Sequence, residues 1–318
     1  MLKKIFLTGS AGFIGSHLTE KLFMQYKKSK FILFDKVTYA ANKKFLKNIL
    51  NKKNVKFIKN DLLNYKLLEN HLKDVDLAIN VAAESHVDNS FGNSLLFTKT
   101  NTLGTHCFLE ACRKQKVKKI IHVSTDEVYG ENSNKPFKEN QILNPTNPYS
   151  ASKAGADMMV NAYNKSYKLN ITTIRANNIY GIRQYPEKLV SKSIFNFINK
   201  KKMTIHGKGK NFRFYLSVED FCDGVIKIIK KGKKNTIYNI ASDKCYNIKQ
   251  VVKMIANHMD IDFKKNIIFV NDRPFNDKNY RIDCSKLKKL NWRVKKNLKD
   301  DIPYLCEWYK KNKNLFIL

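Results

Sequence analysis

Short hydrophobic runs alternate with longer amphipathic stretches along the first 178 residues. Short segments rich in apolar and β-branched residues predict strands at 4–8, 31–34, 55–58, 77–81, 120–124 and 171–175. Helical spacing of apolar residues predicts helices at about 13–26, 94–114 and 148–167. Such alternation is typical of an α/β protein with a doubly wound, parallel sheet.

The pattern after residue 178 is less regular. It predicts helices at 196–202 and 220–231, a strand at 236–241, and a mixture of helices and loops over 245–318. No internal repeat and no disordered linker interrupts the chain.

A glycine-rich turn follows the first predicted strand. Residues 8–16 read Thr-Gly-Ser-Ala-Gly-Phe-Ile-Gly-Ser and lead into the first predicted helix. Glycines let the backbone approach a pyrophosphate, and the positive end of the helix faces the negative charge. Asp35 lies twenty residues after Gly15, at the end of the second strand, where a carboxylate accepts hydrogen bonds from a ribose and repels a 2′-phosphate. The sequence therefore predicts a Rossmann fold that prefers NAD over NADP.

Tyr149 and Lys153 lie one helical turn apart and share a helix face. A lysine ammonium beside a phenol lowers the pKa of the phenol, which makes the tyrosine a usable base near neutral pH. Such a pair occurs by chance in many proteins, but its position after the fifth predicted strand, with Ser124 and Thr125 upstream, makes the match specific here.

Two adjacent acids, Asp126 and Glu127, follow Thr125 at the carboxyl edge of the sheet. Elimination of water needs a base for a carbon-bound proton and an acid for the departing hydroxyl, and two carboxyl groups in different environments can divide these tasks. An N-capping aspartate beside a solvated glutamate explains the same two residues without any chemistry.

Several motifs, in their order along the chain, resemble the dTDP-glucose 4,6-dehydratase family of extended short-chain dehydrogenases/reductases. They are the glycine motif, Asp35-Lys36-x-Thr38-Tyr39-Ala40-x-Asn42, residues 82–88 (Ala-Ala-Glu-Ser-His-Val-Asp), residues 124–130 (Ser-Thr-Asp-Glu-Val-Tyr-Gly) and residues 148–153 (Pro-Tyr-Ser-Ala-Ser-Lys). Residues 186–189, 218–220 and 272–274 extend the resemblance to nearly the whole chain.

This resemblance implies a reaction in three steps. Tyr149, assisted by Lys153, takes the proton from the sugar O4 while C4 passes a hydride to NAD. Glu127 then removes the C5 proton as Asp126 protonates the departing C6 hydroxyl, and the hydride returns to C6. Thr125 is expected to hydrogen-bond near O4.

The resemblance also implies two sets of binding residues. The expected cofactor contacts are Gly9, Gly12, Phe13, Ile14, Gly15, Asp35, Lys36, Asp61, Leu62, Ala82, Ala83, Tyr149, Lys153 and Asn178. The expected substrate contacts are Ser85, Thr125, Asn178, Glu187, Lys188, Leu189, Arg213, Asn247, Arg273 and Tyr280. Arginine suits a diphosphate because its guanidinium bonds two oxygens at once. No metal site is expected.

These assignments divide the chain into two regions. We expect an NAD-binding Rossmann domain over residues 1–178, joined by later strands from about 215–242, and a smaller mixed region over 179–318 that binds the nucleotide sugar.

Two segments depart from the bacterial dTDP enzymes, at residues 175–181 (Arg-Ala-Asn-Asn-Ile-Tyr-Gly) and 273–277 (Arg-Pro-Phe-Asn-Asp). They look like the UDP-glucose 4,6-dehydratase domain of plant-type UDP-rhamnose synthases. The resemblance therefore implies a preference for UDP-glucose over dTDP-glucose. Since this chain stops at Leu318, later epimerisation and reduction are expected to come from a separate protein.

The net charge of +33 raises the possibility of nucleic-acid binding. However, the lysines are spread along the chain and only seven arginines are present, so we expect no nucleic-acid partner.

The six cysteines show no metal-binding spacing and indicate a reducing compartment. The apolar N-terminal run is cut at Thr8, too early for a signal peptide, and no stretch is long enough for a membrane span. We expect a cytoplasmic protein.

Two other functions remain open at this point. One is another enzyme of the same fold, a UDP-hexose 4-epimerase or a UDP-glucuronate decarboxylase; the other is a non-catalytic protein that binds NAD or nucleic acid.

The sequence also predicts a homodimer through a four-helix bundle, partly by the resemblance. The helices near 94–114 and 149–167 carry more apolar residues than one sheet face needs: Leu103, Phe108, Leu109, Met158, Met159 and Val160.

Overall fold

The computed structural model describes residues 2–131, 135–272 and 279–316. Its strands are β1 (Lys4–Thr8), β2 (Lys30–Asp35), β3 (Val55–Lys59), β4 (Leu77–Asn80), β5 (Lys119–Thr125), β6 (Ile171–Ala176), β7 (Asn178–Tyr180), β8 (Met203–His206), β9 (Phe212–Ser217), β10 (Ile237–Ile240), β11 (Cys245–Asn247) and β12 (Ile267–Val270).

The α-helices lie mostly between these strands. They are α1 (Phe13–Gln25), α2 (Lys47–Leu50), α3 (Tyr65–Leu72), α4 (Val87–Gly92), α5 (Ser94–Phe97), α6 (Gly104–Lys114), α7 (Pro148–Tyr167), α8 (Leu189–Ile198), α9 (Val218–Lys231), α10 (Ile248–His258), α11 (Phe263–Asn266), α12 (Ser285–Lys288) and α13 (Leu298–Lys311).

Seven strands form one parallel sheet in the order β10-β6-β5-β4-β1-β2-β3. Successive residues of a strand point to opposite faces, so Ile5 and Leu7 pack into the core beneath α1 and α9, whereas Phe6 packs beneath α3, α6 and α7. Helices cover both faces, which confirms the predicted doubly wound Rossmann architecture. A parallel sheet of this kind binds ligands beyond the carboxyl ends of its strands.

Most elements of the first half lie where the hydrophobic pattern predicts them, including β1 and α7. The predicted helix at 196–202 is wrong: α8 begins earlier, at Leu189, and ends at Ile198. Its apolar residues pack into a second core against α10 and α13. These packing partners are far away in the sequence. The residues near 196–202 alone therefore do not show where the helix begins and ends.

The predicted helix at 94–114 contains a π-helical segment, Thr98–Leu103, between α5 and α6. Within it, the buried side chain of Asn101 accepts a hydrogen bond from Glu84 N at 2.9 Å and donates to Ser152 Oγ, also at 2.9 Å. Asn101 therefore joins the loop after β4 to α7. Since π-helical segments are frequent at functional sites, this wider turn is consistent with a site nearby.

The remaining strands form two small sheets, β11-β9-β7 and β12-β8. Of the strands expected near 215–242, β9 belongs to the three-stranded sheet and β10 to the edge of the central sheet. Helix α13 is attached to the segment after β6, because Tyr309 donates to Gln184 O at 2.6 Å and Tyr180 donates to Asp301 Oδ2 at 2.7 Å. The smaller region thus stands beside the carboxyl edge of the parallel sheet.

The residues named for the dimer interface divide into three groups, of which Met159 forms one because it is partly buried against the core of the chain. Leu103 is 48% exposed and Met158 is 50% exposed, so both are available to a partner. Phe108, Leu109 and Val160 are buried in the core of the chain itself, and their assignment to an interface is wrong. No helix of the described residues is long and apolar enough to cross a membrane.

Candidate functional site

The glycine-rich turn between β1 and α1 is compact. Gly9 has a φ of +65°, and a Cβ there would lie 2.7 Å from Ala82 Cα. A Cβ on Gly15 would lie only 1.9 Å from Gly9 O, so α1 could not begin where it does. Gly12 is different, because its Cβ would meet only Gly9 O at 3.4 Å. The protein's own packing thus demands glycine at two positions, while Gly12 leaves the turn open toward a bound group.

Asp35 ends β2 beside this turn. Its two carboxylate oxygens accept hydrogen bonds from Ala11 N at 2.8 Å and from Val37 N at 2.6 Å. Burial raises the pKa of this carboxyl, and the backbone donors oppose the rise. Each oxygen keeps a further lone pair for a ribose hydroxyl. Next to it, Lys36 pairs with Asp61 at 2.7 Å.

A cavity of about 220 Å³ lies over the glycine turn. It is lined by all but one of the expected cofactor contacts: Gly9, Gly12, Phe13, Ile14, Gly15, Asp35, Lys36, Asp61, Leu62, Ala82, Ala83, Tyr149 and Lys153. Asn178 is absent from this lining and lies instead on the neighbouring cavity.

The second cavity, of about 310 Å³, lies beside the first over the ends of β5 and β6. It is lined by the expected substrate contacts Ser85, Thr125, Asn178, Glu187, Lys188, Leu189, Arg213 and Tyr280, and by Asp126 and Glu127. Tyr149 and Ser124 line both cavities. Two ligands placed side by side would therefore meet at Tyr149.

Two expected substrate contacts are not found in this lining. Asn247 does not line the cavity, because its side chain caps α10 by accepting a hydrogen bond from Gln250 N at 2.8 Å. Its neighbour Ile248 lines the cavity, and a substrate contact by Asn247 stays a prediction. Arg273, together with the rest of 273–277, lies outside the described residues.

Asp126 begins a 3-10 turn directly after β5 and is only 2% exposed. Burial, and then the adjacent Glu127 carboxylate, raise the pKa of Asp126 to about 7. One of its oxygens accepts a hydrogen bond from Asn177 Nδ2 at 2.8 Å, and the other accepts from Thr125 Oγ1 at 3.2 Å. At neutral pH this carboxyl is therefore poised between an acid and a carboxylate.

Glu127 is less deeply buried than Asp126. Its backbone N–H donates to Thr125 Oγ1 at 3.2 Å, and its Oε2 accepts from Asn147 Nδ2 at 3.4 Å. The two carboxyl groups thus have different surroundings. A site with one protonatable acid and one accessible base is suited to elimination.

Tyr149 and Lys153 lie on the first turns of α7, which begins with a capping box at Asn147 and Pro148 at its first position. Lys153 Nζ donates to Val123 O at 2.7 Å, and burial lowers the pKa of Lys153 to about 8. Burial and the Glu127 carboxylate raise the pKa of Tyr149. The expected lowering by Lys153 is not observed in this structure, because burial and the nearby carboxylates dominate.

A buried ionic group lies behind Lys153. Asp157, one turn further along α7, accepts a hydrogen bond from Arg175 Nε at 2.8 Å, and its other oxygen lies 3.5 Å from His122 Nε2. Burial would raise the pKa of Asp157, but the neighbouring His122 and the charge of Arg175 outweigh it and hold that pKa at about 2. Asp157 therefore stays ionised and opposes the loss of the Lys153 charge.

Three lining residues were not among the expected contacts. Asn177 and Asn147 contact the two acids, and Gln184 lines both cavities. Asn177 precedes Asn178, and Asn147 precedes the Pro148–Lys153 motif, so proximity to a motif was the available signal. Among the described residues, no group of three or more His, Cys, Asp or Glu side chains could hold a metal.

The parallel sheet, the glycine turn with Asp35, and the Tyr149–Lys153 pair at the carboxyl edge define an extended short-chain dehydrogenase/reductase. The chain belongs to the GDP-mannose 4,6 dehydratase family, whose model matches residues 6–303.

Individual relatives agree with this family. The chain is 42% identical to the dTDP-D-glucose 4,6-dehydratase of Dictyostelium discoideum, covering 99% of this chain and 83% of that protein. It is 43% identical to a trifunctional UDP-glucose 4,6-dehydratase, 3,5-epimerase and reductase of Arabidopsis thaliana, covering 98% of this chain but about half (47%) of that protein. The structure matches a Streptomyces venezuelae dTDP-glucose 4,6-dehydratase crystallised with NAD, at a TM-score of 0.94 and 32% identity over 98% of both chains.

Proposed function

We propose that this protein is an NAD-dependent nucleoside-diphosphate-glucose 4,6-dehydratase, a hydro-lyase. The observation that carries the proposal is the acid pair: Asp126 and Glu127 line the same cavity as Tyr149, and burial raises the pKa of Asp126 well above its ordinary value. Oxidation at C4 alone needs Tyr149 but no such pair. Loss of water across C5–C6 needs both an acid and a base.

The smaller cavity fits NAD. Gly12 leaves room at the helix N-terminus for a pyrophosphate, and Asp35 has lone pairs for ribose hydroxyls. Ser124 Oγ is buried between the two cavities without a hydrogen-bond partner in the described parts of the chain, so a bound group there would satisfy it. When bound, NAD supplies the acceptor for the C4 hydride and the source of the hydride that returns to C6.

Tyr149 would hold the sugar O4 and accept its proton. A buried phenol with a raised pKa is a weak acid and hence, once ionised, a strong base. Lys153 would favour that ionisation, because it brings a cation to the same face of α7 one turn after Tyr149. Thr125 adjoins Tyr149 and Asp126 and would position the same hydroxyl.

The acids would then divide the elimination. Glu127 takes the C5 proton, and the electron pair of that C–H bond forms the C5–C6 double bond. Asp126 gives its proton to the C6 hydroxyl oxygen as the C6–O bond breaks, so water leaves. Asp126 is suited to the second role because its pKa of about 7 keeps a proton available.

The nucleotide diphosphate would extend away from the acids through the larger cavity. Arg213 lines this cavity, with its guanidinium 4.9 Å from the centre of the Tyr280 ring. Lys188 donates to Ser85 O, and Glu187 and Leu189 stand on either side of it. We assign these residues, Asn178 and Arg273 to substrate binding, and we propose UDP-glucose as the preferred substrate with dTDP-glucose as the alternative.

We further propose a homodimer formed by α5–α7 and their copies. The support is an exposed apolar surface on these helices, to which Leu95, Leu103 and Met158 contribute. Burial of such residues in a twofold bundle would remove them from water.

We infer a reducing, cytoplasmic location. All six cysteines are free, and four of them are buried. Free, buried thiols are typical of reducing compartments.

The decisive experiment is incubation of the purified protein with UDP-glucose and with dTDP-glucose, separately, followed by NMR identification of the product. A 4-keto-6-deoxy sugar nucleotide supports the proposal. Recovery of a 4-epimer instead would assign the protein to the epimerases of this fold. In a parallel incubation with UDP-glucuronate, release of carbon dioxide would assign it to the decarboxylases.

A further inference from the structure

Asn177 is held in place by contacts on two sides. Its backbone N–H donates to Ile240 O at 3.2 Å, which ties the residue to the edge strand β10. Its side chain is buried, yet the residue lines the larger cavity. Asn177 Nδ2 lies 2.8 Å from Asp126 Oδ2 and 3.4 Å from Tyr280 O.

These contacts set the orientation of the amide. The reversed amide would place Asn177 Oδ1 against the carbonyl oxygen of Tyr280 and the carboxyl oxygen of Asp126, both of which accept rather than donate when Asp126 is ionised. The N–H groups therefore point at Asp126. Tyr280 in turn stacks on Arg213, so Asn177 connects the acid to Tyr280 and, through its ring, to Arg213.

We propose that Asn177 is a positioning residue for the dehydration step: it holds Oδ2 of Asp126, so that Oδ1 carries the transferable proton, and it stabilises the carboxylate left after transfer. This proposal rests on the proposed function.

The chemistry explains why one amide serves both tasks. When the Oδ1 proton passes to the departing C6 hydroxyl, Asp126 becomes an anion within a buried site. A hydrogen bond from N–H to a carboxylate is stronger than one to a neutral carboxyl. The bond from Asn177 therefore strengthens as the C6–O bond breaks, which lowers the barrier rather than only ordering the ground state.

The other groups that face Asp126 affect it differently. Glu127, from the same strand end, raises the pKa of Asp126 by charge repulsion, whereas Arg213 on β9 lowers it by attraction. Thr125 donates to the opposite oxygen, and Tyr149 faces the acid from α7. Asn177 is thus an uncharged donor whose removal changes no formal charge in the site.

The test uses Asn177→Leu, which keeps the side-chain size and removes the donor. We expect kcat to fall about 10- to 100-fold, with KM changed less than about threefold. Bound NADH should still form on adding substrate. The lost hydrogen bond favoured the carboxylate form, so Asp126 should stay protonated to higher pH. The alkaline limb of the plot of kcat against pH should therefore shift to higher pH.

Asn177→Asp provides a second, isosteric variant in case the leucine does not fold. Its added carboxyl should raise the pKa of Asp126 still further, by charge repulsion. The matched control is the adjacent Asn178→Leu, which should raise KM without moving that limb. The proposal would be overturned if Asn177→Leu lost NADH formation to the same extent as turnover. It would also be overturned if the alkaline limb of its plot of kcat against pH did not shift.

A titration of the Asp126 carboxyl by ¹³C NMR, with and without Asn177→Leu, needs no substrate. An upward shift of its pKa supports the role of Asn177, and no shift overturns it. If the wild-type protein makes no 4-keto-6-deoxy sugar, the proposed function fails, and this titration still decides whether Asn177 controls Asp126.

Discussion

Tyr39 donates a 2.8 Å hydrogen bond to Oε2 of Glu187, joining the loop after β2 to the segment before α8. The ring of Tyr39 also packs edge-on against Tyr185, with 5.2 Å between the ring centres. Thr38 and Ala40 line the smaller cavity from one side of this contact, and Tyr185 and Glu187 line it from the other. The contact therefore joins two segments that both line the proposed NAD site.

Loss of this bond should speed the release of NAD. Tyr39→Phe keeps the contact with Tyr185 but removes the hydroxyl, and one hydrogen bond to a carboxylate in a partly exposed site is worth up to about tenfold in an equilibrium. We expect the NAD dissociation rate to rise by about two- to tenfold, measured by trapping released cofactor with an NAD-consuming enzyme. An unchanged rate would show that the contact does not retain the cofactor.

Asp126→Asn should separate oxidation from elimination. The amide cannot give a proton to the C6 hydroxyl, so turnover should fall about 10²- to 10⁴-fold. Tyr149 and Lys153 remain, so the near-ultraviolet absorbance of bound NADH should still appear on mixing with substrate. A variant that binds substrate but forms no NADH would contradict the assigned roles.

The same substitution should stabilise the fold at alkaline pH. The folded-state pKa of Asp126 is about 7, above its ordinary value of 3.8. Between these values the folded protein keeps a proton that the unfolded chain has released, so this group makes stability fall as pH rises. The free energy of unfolding of Asp126→Asn should exceed that of the wild type by about 1–4 kcal/mol at pH 8. Urea denaturation should show the difference shrinking toward pH 4, and a constant difference would contradict the shift.

Met158→Glu should disrupt the proposed dimer. Met158 is 50% exposed on α7, and a carboxylate buried in a twofold bundle has no partner there. Met24→Glu is the matched control, since Met24 is 64% exposed on α1, away from the proposed interface. Light scattering at micromolar concentration should show a monomer only for Met158→Glu, and a wild-type monomer would refute the dimer itself.

UDP-glucose should have a higher kcat/KM than dTDP-glucose. The two differ by the ribose 2′-hydroxyl and the base 5-methyl, and one methyl is worth about 1–3 kcal/mol in a pocket. A protein group that bonds the 2′-hydroxyl would lack its partner when dTDP-glucose binds. Relatives of both kinds are about equally similar, so only the kinetic comparison decides. An equal or higher value for dTDP-glucose would refute the preference and leave the dehydration chemistry intact.

The amino-acid sequence alone predicted the parts of the site that lie within one continuous unit. The strand, glycine turn and helix of residues 4–25 lie where their pattern places them, with Asp35 beside them. The sequence also placed Tyr149 and Lys153 on one face of α7 and both acids at the end of β5. These predictions succeed because strand ends and helical periodicity are local properties, and a parallel sheet brings its carboxyl edges together.

Tertiary structure decided what surrounds those residues. The bond from Asn177 to Asp126 joins residues 51 apart, and the bond from Tyr39 to Glu187 joins residues 148 apart. The side chain of Asn247, which the resemblance assigned to substrate binding, caps α10 in the structure. The pKa of Tyr149 is raised by burial rather than lowered by Lys153. Hydrogen-bond partners and burial depend on the approach of distant segments, and neither leaves a periodic signal along the chain.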